Sequence, residues 1–200
     1  MRIEALCLGA VVGAAPRIAD AVPAGDHGSP LGDAVIAEGQ HARTWRWVWT
    51  GIYGTLTVGS FALVPLAARR DRPDLVISGV ASAVSTALTV LWPLDAEDAG
   101  DAVRSLSGSP EARERRTRAL AERAADDEES RVSWPWHVGN LVIAAIPAAI
   151  IELGYHHHAS AALTLLFSFT LGEVQLFTQP TGLRAAIQTD GTSVALALRW

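Results

Sequence analysis

Four stretches of this chain carry almost no charge over the length a helix needs to cross a bilayer. Residues 47–68 are 22 consecutive uncharged residues, 75–94 are 20, and 132–151 hold 20 with only His137 titratable. Residues 159–172 are also uncharged, and beyond Glu173 the apolar character continues to Phe177. A bilayer core about 30 Å thick takes roughly 20 helical residues. Hydrocarbon offers backbone N–H and C=O groups no partner, so such segments must close their hydrogen bonds internally as helices. The expectation is an all-α fold: an integral membrane four-helix up-down bundle. Its spans are 47–68, 75–94, 134–153 and 159–179 within a membrane domain at 45–200, and a polar extramembrane helix lies between spans two and three.

The flanks agree. Six of the seven tryptophans (Trp45, Trp47, Trp49, Trp92, Trp134 and Trp136) sit near span ends, where amphipathic rings favour the headgroup region. Gly79, Ala83 and Ala87 recur every four residues in the second span, as do Ala81, Ser85 and Thr89. Small residues at that spacing let helices approach closely in lipid. Gly51, Gly54 and Gly59 suggest a further packing face on the first span. Pro65 and Pro147 are expected to kink or end their helices.

Before the first span, residues 1–21 place Arg2 ahead of an apolar run and end in Ala19-Asp20-Ala21. That order reads as a signal peptide. Residues 22–44 read as an exposed polar leader. The connection at 95–131 holds seven arginines and eleven acids. Within it, Ser109-Pro110-Glu111 is a helix start: an N-cap, a proline in the first turn, an acid at the positive end of the dipole. A solvated helix over roughly 110–129 is expected, with a thin apolar face of Ala and Leu120, exposed or turned to a partner.

Only 18% of residues are charged, against about 25% in soluble domains. No basic stripe with interleaved aromatics is present, which argues against nucleic acid as a partner. All sixteen basic residues are Arg; with the abundant Ala this points to GC-rich coding and a bacterial inner membrane. Short turns at 69–74 and 154–158 put both termini and the 95–131 loop on one side. A signal peptide, and Arg69, Arg70 and Arg72 directly at a membrane boundary, make that side extracytoplasmic.

An acid inside a span is costly and marks a candidate site. Glu173, late in span four, lies level with the start of span three, where His137 and Asn140 stand; His41 and Arg46 enter on the same side. These five residues form the candidate polar site, either a pocket with or without a metal or a structural pairing of Glu173 with His137 or Arg46. Glu152 with His156, His157 and His158, at the opposite boundary, is the second metal candidate. Glu152 and His156 share a helix face if the helix continues, although Gly154 is placed to end it. No phosphate-binding glycine loop, H-E-x-x-H, G-x-S-x-G or C-x-x-C occurs, and the two halves do not repeat as in inverted-repeat transporters. The sequence names no cofactor. It favours a structural or accessory subunit acting through helix packing, as a homo-oligomer or with a membrane-complex partner. A membrane enzyme or metal-binding protein built on Glu173, His137 and Asn140, and a small channel or transporter, are the alternatives.

Overall fold

The computed structural model describes residues 29–189, and the signal segment at 1–21 lies outside them. Seven α-helices follow in order: α1 (Pro30–Leu63), α2 (Arg72–Leu91), α3 (Asp95–Arg104), α4 (Pro110–Arg131), α5 (Trp134–Tyr155), α6 (His158–Phe177) and α7 (Leu183–Gln188). A single 3-10 turn, Val64–Leu66, extends α1. No strand occurs among the described residues. The four helices that are long and apolar enough to cross a membrane are α1, α2, α5 and α6.

The largest departure from the sequence reading is the start of α1. Residues 30–44 are not an exposed leader; they are the first turns of a 34-residue helix, about 51 Å long at 1.5 Å per residue. Ser29 caps it, its hydroxyl accepting the Gly32 N–H at 3.2 Å, with Pro30 in the first turn and Asp33 beside the positive end of the dipole. Leu31, Val35, Ile36 and Ala42 on this segment are almost fully buried.

They are buried by α3, α4 and α7, and together these elements form a helical head with its own apolar core. Leu94, Ala96, Ala99, Val103, Ala121, Ala124, Ala125, Leu183 and Ala186 complete that core. The α4 helix begins at Ser109 as its cap signal requires, but its alanine face is neither exposed nor free: Ala121 and Ala125 are inaccessible. The thin face works because its neighbours are equally small. A Cβ on Gly39 would stand 2.7 Å from the Ala96 carbonyl oxygen and 3.1 Å from the Gly100 Cα, so α1 and α3 cross almost backbone to backbone.

Below the head, α1 packs on α2, α5 on α6, and α2 on α5. Pro65 ends the α-helical part of α1, as expected, and falls in the 3-10 turn. Pro147 is accommodated inside α5 without ending it. The α2 helix stops at Leu91, ahead of Trp92-Pro93; the residue before a proline is pushed out of the α region. Gly79 is a packing position, the Phe61 ring lying 3.1 Å from where its Cβ would be. Gly51, Gly54 and Gly59 are not: a Cβ at any of them would meet nothing within 4 Å.

This contrast is testable. Gly39→Val should destabilise the head by about 1–3 kcal/mol through overpacking. Gly54→Ala should be neutral or stabilising by up to about 1 kcal/mol, since alanine is the better helix former. Thermal unfolding of the two variants in detergent reads both.

Candidate functional site

The α5–α6 hairpin brings Glu173 opposite the first turns of α5. His137 Nδ1 lies 2.6 Å from Glu173 Oε2, and Asn140 Nδ2 donates to Glu173 Oε1 at 2.8 Å. The same Asn140 amide reaches the Phe169 carbonyl at 3.0 Å. Each carboxylate oxygen therefore has its own donor, one from each of two residues three apart on α5, which is the spacing that puts side chains on one helix face. The Phe177 ring packs on the imidazole with centroids 5.6 Å apart. Gly172 makes the approach possible: a Cβ there would overlap the Asn140 amide.

His41 and Arg46 stand on the same side of the molecule but belong to another group. Arg46 grips Glu97 of α3 through Nε at 2.7 Å and Nη2 at 2.8 Å, a two-pronged pair in which Glu97 is only 3% exposed. His41 Nδ1 lies 3.9 Å from Glu38 on its own helix. The candidate site at Glu173 is thus a triad of His137, Asn140 and Glu173.

Beside the triad runs a second polar seam that the sequence reading did not assemble. Trp45 and Trp49 both donate their indole N–H to Thr178 Oγ1 at 3.2 Å, and that hydroxyl donates to the Val174 carbonyl. One turn further along α1, Tyr53 donates to Gln175 Oε1 at 2.8 Å. The signal was present as aromatics four apart at 45, 49 and 53 facing hydrogen-bonding residues three apart at 175 and 178. Read as interfacial anchors, the tryptophans concealed their second role of tying α1 to α6.

At the far end, the histidine run disperses. Tyr155 is the last residue of α5, one beyond Gly154, and His156 takes the left-handed conformation that closes the helix (φ 56°, ψ 35°). Its N–H still makes the helical bond to the Glu152 carbonyl, but the left-handed backbone ends the helix there, so the two side chains do not share a continuing helix face. Glu152 instead meets His158 at 2.5 Å, and His157 turns to Asp74 of α2 at 2.9 Å. Among the described residues no group of three His, Cys, Asp or Glu side chains is placed to hold a metal ion.

An open groove of about 640 Å³ lies along α1, lined by Gln40, Arg43, Thr44, Trp47 and Val48. Arg43 is engaged with Asp101 at 2.5 Å, so the groove presents mainly amide, hydroxyl and apolar surface. No protein-family model, no curated protein and no solved structure matches the chain.

Gly172→Ala should displace Asn140 and cost about 1–3 kcal/mol. Asn140→Ala should cost a similar amount by stripping one donor from Glu173. Because the two residues touch, the double variant should lose about 0.5–3 kcal/mol less than the sum; a double-mutant cycle on thermal unfolding measures the difference.

Proposed function

We propose that this chain is a multi-pass membrane protein of accessory or structural type. In this reading a helical head stands outside the bilayer and a partner helix docks on the open face of α1. The supporting observation is where the apolar side chains lie. Among the described residues, every exposed large hydrophobic side chain falls between Trp47 and Phe177 and none on α3, α4 or α7. Leu66, Leu91, Leu153 and Phe177 are each more than three-quarters exposed. Leaving such side chains in water forgoes about 1.5–3 kcal/mol each. More than twenty of them lie along or at the ends of the four apolar helices, an apolar surface of the kind that marks a membrane or partner contact rather than a face left in water. Lipid removes the conflict, and the head's buried core marks the part that stays in water.

The bundle is then up-down. The head and both chain ends are extracytoplasmic, and Arg69, Arg70 and Arg72 lie at the cytoplasmic boundary of a bacterial inner membrane. The accessory role rests on α1. Gly51, Thr55 and Gly59 recur every four residues, and the positions of Gly51 and Gly59 open onto unfilled space. Small residues at this interval are the surface on which helices associate in lipid. The groove at Thr44, Trp47 and Val48 continues the same face towards the head.

In mild detergent the protein should elute as an oligomer or with a co-purifying partner. Gly51→Leu should reduce it to a folded monomer, because a Cβ there meets nothing within 4 Å inside its own chain. A strictly monomeric wild-type protein without a partner would defeat the proposal.

A second reading, an enzyme or metal-binding site, is favoured by the convergence of His137 and Asn140 on Glu173. It predicts bound metal, or retained lipid or small molecule, that is lost in Glu173→Gln. Elemental analysis and mass spectrometry of both purified proteins decide it; identical, empty spectra remove this reading.

A further inference from the structure

The head contains two buried carboxylates that neither the polar triad nor the packing faces use. Glu38 of α1 is 3% exposed and Glu128 of α4 is 2% exposed. They meet at the start of α7, where consecutive backbone amides divide between them. Gly182 N–H donates to Glu38 Oε1 at 3.0 Å, and Leu183 N–H donates to Glu128 Oε2 at 3.2 Å. The second oxygen of Glu128 is fully enclosed and has no hydrogen-bond partner, and the nearby strap residue Gln179 also buries an unpartnered amide nitrogen. Among the described residues no ion pair reaches Glu128.

We propose that Glu128 is a proton-binding site, in which one proton held there beside Glu38 latches α7 and the strap at 178–182 onto the head.

An enclosed carboxylate oxygen without a donor is expensive as an anion and ordinary as an acid. The surroundings add to that preference. On α4 itself Asp127 and Glu129 flank Glu128; from α1 comes Glu38; from α3, Asp95 stands against Asp127. The cations nearby are committed elsewhere or lie at the rim. Arg184 of α7 bonds Glu129 and Asp126, and Arg131 bonds Asp127. His41 approaches only Glu38, which raises the affinity of the imidazole for a proton. Burial, followed by the charge of Glu38, pushes the Glu128 carboxyl up to about 8, the Leu183 N–H pulling weakly the other way.

The sign follows directly. The latched form holds a proton that a released, hydrated Glu128 loses near its ordinary value of 4.5. Latching is therefore strongest at or below that pH, weakens as pH rises towards 8, and levels off above it. What the latch holds is clear from the core: Leu183 and Ala186 are almost inaccessible. The strap that ends in α7 leaves α6 immediately after Thr178, the residue that both indoles grip. Release of α7 would free the tether between the fourth apolar helix and the head.

The test uses the full-length protein in detergent. Hydrogen-exchange protection of residues 183–188, corrected for intrinsic rates, should fall by up to about tenfold per pH unit between pH 6 and 8. Glu128→Gln, which mimics the protonated acid, should abolish that slope and keep α7 protected at pH 9, whereas Glu122→Gln on the exposed face should leave it unchanged. Infrared spectra should show a protonated carboxylic acid at pH 7 that Glu128→Gln removes. If Glu128→Gln does not fold, Glu38→Gln and the infrared titration of the wild-type protein serve instead. Flat protection across the range, absence of the acid band at pH 7, or a slope removed by His41→Asn but not by Glu128→Gln would each overturn the proposal.

Discussion

Arg46 and Glu97 meet at the level where α1 leaves the apolar region and enters the head, and both halves of the molecule depend on that pair. Glu97 is nearly enclosed and Arg46 is 16% exposed at its side chain. Removing one partner of a pair this buried typically costs about 3–5 kcal/mol, chiefly because the other charge is left stranded. The planar guanidinium matches the carboxylate in two parallel hydrogen bonds, which fixes orientation as well as distance. Arg46 also lies over the Trp47 ring, 5.2 Å from its centroid. One side chain thereby sets where α3 sits on α1 and how the aromatic at the boundary is held. The Gly39–Gly100 crossing, two turns up the same helix, is the steric counterpart of this electrostatic fix.

Much of this was legible in the sequence, and the misses have physical causes. Uncharged runs revealed α1, α2, α5 and α6, because length and apolarity are local properties of the chain. Ser109-Pro110-Glu111 revealed the start of α4 for the same reason. The equivalent signal at Ser29-Pro30, with Asp33 following, is masked because the apolar positions behind it (Leu31, Ala34, Val35 and Ala42) are interrupted by Glu38 and Gly39 on the same face. Their partners lie far along the chain and are mostly alanines, with Leu94, Val103 and Leu183 among them. The buried positions keep a helical spacing (Ala96, Ala99, Gly100 and Val103 on α3), but most of them are Ala or Gly, too small to stand out as an apolar stripe, so neither α3 nor the upper half of α1 announces itself. The proximity of His137, Asn140 and Glu173 followed from antiparallel geometry alone. Their convergence did not, because it needs Gly172 to clear the space. Arg46 was drawn to the wrong neighbour for a related reason: level along the bundle says nothing about angle around it, and Glu97 lay in a segment read as loop.

The two polar clusters solve opposite problems. In the triad, Glu173 receives a donor on each oxygen, so its charge is matched by hydrogen bonds from one adjacent helix. In the head, Glu128 has a donor on one oxygen only and another carboxylate in place of a cation. The first arrangement suits a carboxylate that stays where it is; the second suits a group whose protonation state decides whether a neighbouring segment remains attached. The difference rests on partners: a histidine and an amide in one case, an acid and a single backbone N–H in the other.

The faces of α1 determine how these parts can act together. Residues two apart on an α-helix point about 200° from one another. The seam of Trp49 and Tyr53 and the open positions Gly51 and Thr55 therefore occupy opposite sides of one rod. A helix docking on Gly51, Thr55 and Gly59 would approach from the side away from α6 and leave the indole bonds to Thr178 intact. It would also meet the groove at Thr44 and Val48, on the stretch of α1 where Arg43 and Arg46 engage α3. Contact there would load the base of the head without touching the strap. The strap's attachment is governed at its other end, by the carboxylates at Gly182 and Leu183. An occupant of the open face and a change in protonation would thus reach the head through different elements of the same helix, one through its exposed side near Arg43 and the other through Glu38.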